Sequence, residues 1–186
     1  MTSVDTQEFV VLLDDDGRAI GSAPKADVHT ASTPLHLAFS CYLFDDAGWV
    51  LLTRRALHKK TFPGIWTNSC CGHPAPGESL SDAVRRRVGD ELGVGIADLR
   101  CVLPDFRYVA VAADGVVENE VCPVFCARAV GPIRADRDEV ADYTWVPWDH
   151  LCTAAELGWA ISPWAARQVP LLAAAGVGHG AQDLSS

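Results

Sequence analysis

The sequence predicts an α+β domain with helices layered on a mixed β-sheet. Three observations carry this. Apolar runs rich in β-branched and aromatic residues recur along the chain and read as strands. Two segments have helical signatures, one mid-chain and one near the end. The 186 residues are 49% hydrophobic and 21% charged, the balance of one soluble globular domain spanning 1–186.

Residues 9–13 (FVVLL) form a first strand, closed by the turn DDDG at 14–17. Residues 37–44 (LAFSCYLF) and 49–55 (WVLLTRR) are strands joined as a hairpin by DDAG. Residues 56–78 are rich in Gly, Pro and His and read as irregular. From Ser79 to Gly93, Leu80, Val84, Val88 and Leu92 recur at i+4 and form an apolar helical stripe. Ser79 or Ser81 caps that helix and Gly93 ends it in the left-handed conformation. Residues 106–112 and 116–127 form a second hairpin across ADG, and 143–146 a short further strand. Ser162-Pro163-Trp164 opens a helix running to about Ala174, and 175–186 read as a loose tail.

Net charge is -9, with Lys+Arg 15 against Asp+Glu 24. That field repels nucleic acid and excludes general phosphate-backbone binding, but not a small phosphorylated ligand met by a local basic cluster or metal ions. The start MTSVDTQEF lacks the marks of a secretory signal, and no apolar run is long enough to span a membrane. Seven irregularly spaced cysteines fit reduced thiols in the cytoplasm. Cys122 and Cys126, in the apolar run VCPVFCA, read as inert buried thiols.

Chemistry concentrates in three places. The stretch Thr67-Asn68-Ser69-Cys70-Cys71-Gly72-His73-Pro74 is either a tight loop with buried thiols or a catalytic loop. Gly72 allows close backbone approach, and the nearby helix start would favour thiolate character. Glu118 and Glu120 are two apart in a strand and share a face. They are a solvated edge, a metal site or a general acid. His29, His36 and His73 with these carboxylates make a donor set suited to Zn²⁺, Mn²⁺ or Fe²⁺ rather than Ca²⁺. His58, His150 and His179 read as surface residues. The run from Arg54 to Lys60 and the triplet Arg85-Arg86-Arg87 stand out in an acidic chain. They mark a diphosphate site, or Arg87 merely pairs with Glu91 at i+4.

From Gly72 the chain resembles a degenerate Nudix box, G-x5-E-x7-R-E-U-x-E-E-x-G-U. Gly72, Glu78, Arg86, Val88, Glu91, Gly93 and Val94 fall in register, while Arg87 and Asp90 stand where the box carries glutamates. Together, LLTRRALHKKTFPGIWTNSCCGHP, PDFRY, ENEVCPVF and SPW resemble the type I isopentenyl-diphosphate isomerase family from about Glu8 to about Arg167. The resemblance implies a Nudix-like α/β fold. It implies interconversion of isopentenyl and dimethylallyl diphosphate through a carbocation by a monomer with no nucleic-acid or membrane partner.

It further implies catalytic Cys71 and Glu120, with Tyr108 and Trp164 as the aromatic wall. A buried divalent metal, Mn²⁺, Zn²⁺ or Fe²⁺, would sit on His29, His36, His73, Glu118 and Glu120. Mg²⁺ would sit on Glu91 and the Cys71 carbonyl. Lys25, Arg55, Lys59, Arg87, Cys71 and His73 would contact the substrate. Trp164 also has the plainer reading of a core anchor for the last helix. A Nudix pyrophosphohydrolase and a non-catalytic ligand-binding module are the alternatives.

Overall fold

The computed structural model describes residues 8–158 and 160–178. The first sheet contains β1 (Phe9–Leu13), β2 (Ala19–Pro24), β3 (His36–Leu37), β9 (Arg107–Val111) and β10 (Val117–Val121), in the order β2-β1-β3-β10-β9. The second contains β4 (Phe39–Phe44), β5 (Trp49–Arg55), β8 (Gly95–Leu103), β11 (Val124–Val130) and β12 (Val140–Pro147), in the order β12-β5-β4-β11-β8. Two short strands join it: β6 (Trp66–Thr67) pairs with β5 and β7 (Cys70–Gly72) with β4. The helices are α1 (Lys25–Val28), α2 (Leu80–Leu92), α3 (Trp148–Glu156) and α4 (Pro163–Ala174).

Two long runs thread both sheets side by side. β3 pairs parallel with β10, and their continuations β4 and β11 pair parallel in the second sheet. The break falls at Ala38 in one run and at Cys122-Pro123 in the other. Pro123 has no N–H to give a ladder. Its carbonyl still accepts from Ser40 N at 3.1 Å, and Val121 O accepts from Ala38 N at 2.9 Å, so the runs stay adjacent across the kink. The single strands expected over 37–44 and 116–127 are therefore each split.

The second sheet is covered on both faces, which is why β4 is buried at every position. Phe39, Cys41 and Leu43 pack with Ala83, Val84, Val88 and Leu92 of α2. Tyr42 and Phe44 pack with Trp148, Leu151, Trp164 and Leu172 of α3 and α4. The termini of α2 match expectation: Asp82 N donates to Ser79 Oγ at 3.1 Å, and Gly93 is left-handed at φ 59. A Cβ on Gly93 would lie 2.8 Å from Arg134 O, so a side chain is excluded there on two grounds. Ser162 caps α4, accepting from Ala165 N at 3.2 Å.

Several elements depart from the sequence reading. β8 carries Asp98 at φ 54 and a register shift against β11, a bulge that breaks the alternation by which a strand is recognised. β2 (AIGSAP) is largely exposed and has no apolar alternation, and α1 and α3 are short. Residues 56–78 contain β6 and β7, and the strand at 143–146 extends over Val140–Pro147. The tail is not loose at its start, since Val177 is buried in the α3–α4 core. Its remainder, with His179, lies outside the described residues. His58 and His150 are exposed, as expected.

Candidate active site

The kink between the sheets opens onto a cavity of about 810 Å³. Every site residue singled out in the sequence lines it, except His36, which is fully buried behind it. Sheet register supplies the deep wall. His36, Glu120 and Tyr108 are direct partners across β3, β10 and β9, and Glu118 lies two residues before Glu120 on the same face. β10 is an interior strand and both glutamates are buried, which overturns the solvated-edge reading.

His29, His36, His73 and Glu120 bring one donor atom each within 4.8 Å of one another. His36 Nδ1 lies 2.9 Å from Pro34 O and donates to it, which turns Nε2 toward Glu120 Oε1 at 3.5 Å. His73 Nε2 lies 3.3 Å from the same oxygen. His36 Nε2 and His73 Nδ1 are buried without a hydrogen-bond partner. Converging imidazoles, a shared carboxylate and orphaned nitrogens fit a divalent cation of borderline softness. Glu118 stands outside this quartet. Tyr108 Oη donates toward Glu118 Oε2 at 2.7 Å and Glu120 Oε2 at 2.9 Å, joining the two carboxylates.

Without metal, burial and the charges of His73 and His36 hold His29 down to about 4. Burial would raise Glu120, but its bonds with His36 and His73 outweigh this and keep it below the usual carboxylate range. Burial and the Glu120 charge push Glu118 the other way. The two neighbouring carboxyls are thus shifted in opposite directions.

Cys71 is placed by pairing with Ser40 across β7 and β4. Gly72 lets the strand lie close to its surroundings, since a Cβ there would meet Arg87 Cγ at 2.9 Å and Phe39 Cζ at 3.0 Å. The Cys71 thiol donates to Asn68 Oδ1 at 3.2 Å and sits 3.6 Å from Ser40 Oγ. Burial pushes it up to about 12, so the thiolate character expected from a nearby helix start is absent. Cys71 is held as a neutral thiol.

The mouth is ionic. Arg87 pairs with Glu91 on α2 as the i+4 spacing suggested, but it also lies 3.4 Å from both Glu8 Oε1 and Glu139 Oε1. Lys25 pairs with Glu8 at 2.5 Å and Lys59 pairs with Glu139. Arg55 donates to Thr61 O and Oγ1, and its guanidinium carbon is 5.8 Å from the Trp164 ring centroid. Trp164 is a core anchor that also reaches the cavity. It is only 1% exposed in the α3–α4 core, and it lines the cavity beside Tyr108, ring centroids 5.8 Å apart. Sequence reasoning missed Glu8 and Glu139 as parts of the site, and it held Asn68 only within the catalytic stretch, with no role of its own. The box residues Glu78 and Arg86 pair at 2.8 Å, and Glu78 also accepts from Ala75 N, so they brace the loop entering α2.

The NUDIX domain family matches residues 34–169. A crystal structure from Deinococcus radiodurans overlays with TM-score 0.69 at 18% identity, covering 88% of this chain and 98% of that one. A MutT protein from Methanosarcina mazei overlays with TM-score 0.60 at 20% identity, covering 77% and 96%. The fold is that of a Nudix domain, its box rebuilt by Arg87 and Asp90. The isopentenyl-diphosphate Delta-isomerase of Mycolicibacterium vanbaalenii is 81% identical over 179 residues, 96% of this chain and 99% of that relative. That of Frankia alni is 58% identical over 169 residues, 90% and 87%. The chain therefore belongs to the isopentenyl-diphosphate Delta-isomerase family.

Proposed function

We propose that this protein interconverts isopentenyl diphosphate and dimethylallyl diphosphate by adding a proton to one carbon and removing one from another. The observation that carries this reading is a single cavity holding a neutral thiol, an ionised carboxylate, an aromatic wall and a basic mouth. An alkene is a poor base, so its protonation needs a positioned donor that no water competes with. Cys71 and Glu120 come from different strands and share the two proton transfers. Tyr108 keeps its proton, since burial and both glutamates raise it, so it orients Glu120 and does not replace it. The Trp164 and Tyr108 rings face the tertiary carbocation, a contact worth about 2 kcal/mol or more when desolvated.

At the mouth, Lys25, Arg55, Lys59 and Arg87 take the diphosphate in exchange for their present partners. A divalent cation held by His29, His36, His73 and Glu120, with Glu118 beside it, would supply positive charge that tunes the proton affinity of Glu120. The donor set suits Mn²⁺, Zn²⁺ or Fe²⁺, and Glu91 is the residue for a Mg²⁺ carried with the diphosphate. A pyrophosphohydrolase is disfavoured because Arg87 replaces a box glutamate and neutralises Glu91. Purified protein incubated with isopentenyl diphosphate and Mg²⁺ should yield an acid-labile allylic product and no phosphate. Phosphate release without allylic product would reject the reading.

A further inference from the structure

Asn68 sits completely buried between β6 and β7, next to the catalytic loop but on no wall of the cavity. Its amide nitrogen donates to Cys41 O at 3.0 Å and Cys70 O at 2.8 Å. Both amide protons are thereby used, and the side chain cannot turn over without setting oxygen against two carbonyls. Its oxygen accepts three bonds: from Cys71 Sγ at 3.2 Å, from Trp164 Nε1 at 3.0 Å and from Thr67 Oγ1 at 2.8 Å. The Thr67 proton is committed to Asn68, so Ser162 Oγ, 2.8 Å away, donates to Thr67 while capping α4. One carbonyl oxygen thus ties together the strand that carries the thiol and the helix that carries the indole, residues 93 positions apart in sequence (71 to 164).

We propose that Asn68 is a positioning residue for the isomerisation: its Oδ1 fixes the direction of the Cys71 S–H and the plane of the Trp164 ring as one unit. It touches no substrate atom. The locked amide makes Oδ1 an acceptor only, so the thiol hydrogen rests on it at 3.2 Å in preference to Ser40 Oγ at 3.6 Å, a hydroxyl that can itself donate to the sulfur. The indole, fixed at its N–H, presents the same face to the cavity at every turnover. Because an oxygen with two lone pairs serves three donors, the bonds compete, and loss of one tightens the others. The proposal rests on the isomerase reading given above.

Asn68→Leu and Asn68→Asp both lose the two amide donations, but only Asp keeps an oxygen facing the thiol and the indole. Asn68→Leu should lower kcat by about 100-fold with KM for isopentenyl diphosphate within about twofold, the signature of misplaced reacting groups. Asn68→Asp should keep about tenfold more turnover than Leu. Equal losses in the two variants, or a change confined to KM, would overturn the assignment. A second measurement needs no Asn68 variant. The Trp164 indole N–H resonance in nitrogen-labelled protein should move downfield in Cys71→Ala as the shared oxygen loses a competing donor. An unmoved resonance would overturn the proposal even if the Asn68 variants fail to fold. That readout is independent of turnover. An inactive wild-type protein would therefore refute the isomerase reading and leave the Asn68 linkage separately testable.

Discussion

The deep wall and the mouth of the cavity are built on different physics. His36, Glu120 and Tyr108 are held by ladder register across three adjacent strands and are buried. Lys25, Lys59 and Arg87 at the mouth are held by ion pairs to Glu8, Glu91 and Glu139; Glu8 is exposed and Lys25 and Lys59 half-buried, while Arg87 and Glu91 are buried. Backbone pairing can fix atoms to within the tolerance of proton transfer, whereas long side chains in ion pairs can change partners. On the proposed reading, the sheet places the reacting groups and exchangeable charges take up the diphosphate.

Breaking the deep wall should have the largest effect. Cys71→Ala and Glu120→Gln should each cut turnover by more than about 100-fold with little change in fold, measured by kcat and thermal midpoint. Cys70→Ala should leave turnover nearly intact: Cys70 borders the cavity, but its buried side chain packs with the α2 core and makes no contact with Glu120, Tyr108 or Trp164. A dead Cys70→Ala beside an active Cys71→Ala would mean that the register across β7 is wrong.

Trp164 comes next and joins the two regions. Trp164→Leu should lower kcat by about 10- to 100-fold if about 2 kcal/mol of cation stabilisation is lost. Trp164→Phe should lower kcat less. Because Phe also loses the bond to Asn68, it should lower stability by about 1 kcal/mol rather than leave it unchanged. Equal kcat in the two variants would leave Trp164 as structure alone.

At the mouth the effects should be smaller and appear in KM. Arg87→Ala should raise KM severalfold. Glu139→Gln should lower it, since Lys59 and Arg87 lose a competing anion. An unchanged KM in both would show that these cations are not used.

The smallest effect is on stability against pH. Burial would raise Glu139 and Glu8, but Lys59 and Lys25 outweigh it and hold them below the usual carboxylate range. For Glu78, the Arg86 bond does the same with little burial to oppose it. A depressed carboxyl stabilises above its unfolded value of about 4.5 and loses that contribution as pH falls through the folded value. The thermal midpoint should therefore fall below about pH 4.5. Lys59→Met should flatten that fall, as followed by calorimetry.

The sequence was most informative where local rules govern. The i+4 stripe, Ser79 and Gly93 defined α2, and the two-residue spacing of Glu118 and Glu120 set them on one face. Residue type pointed to a five-residue metal set, and the structure gathers four of them, from four elements or their margins, while Glu118 stands outside. The unread parts depend on distant contacts. Glu139 meets Lys59 from 80 residues away and Asn68 meets Trp164 from 96, and neither leaves a local pattern. β8 was hidden by its own bulge at Asp98, and Pro123 split a run whose composition stays strand-like throughout.

The most direct test is the reaction in D₂O, followed by proton NMR of the substrate and product. Wild-type protein with isopentenyl diphosphate and Mg²⁺ should give dimethylallyl diphosphate carrying deuterium from solvent, and Cys71→Ala and Glu120→Gln should give almost none. Product formed at wild-type rate by either variant, or free phosphate in place of product, would contradict a cavity in which this thiol and this carboxylate move the protons.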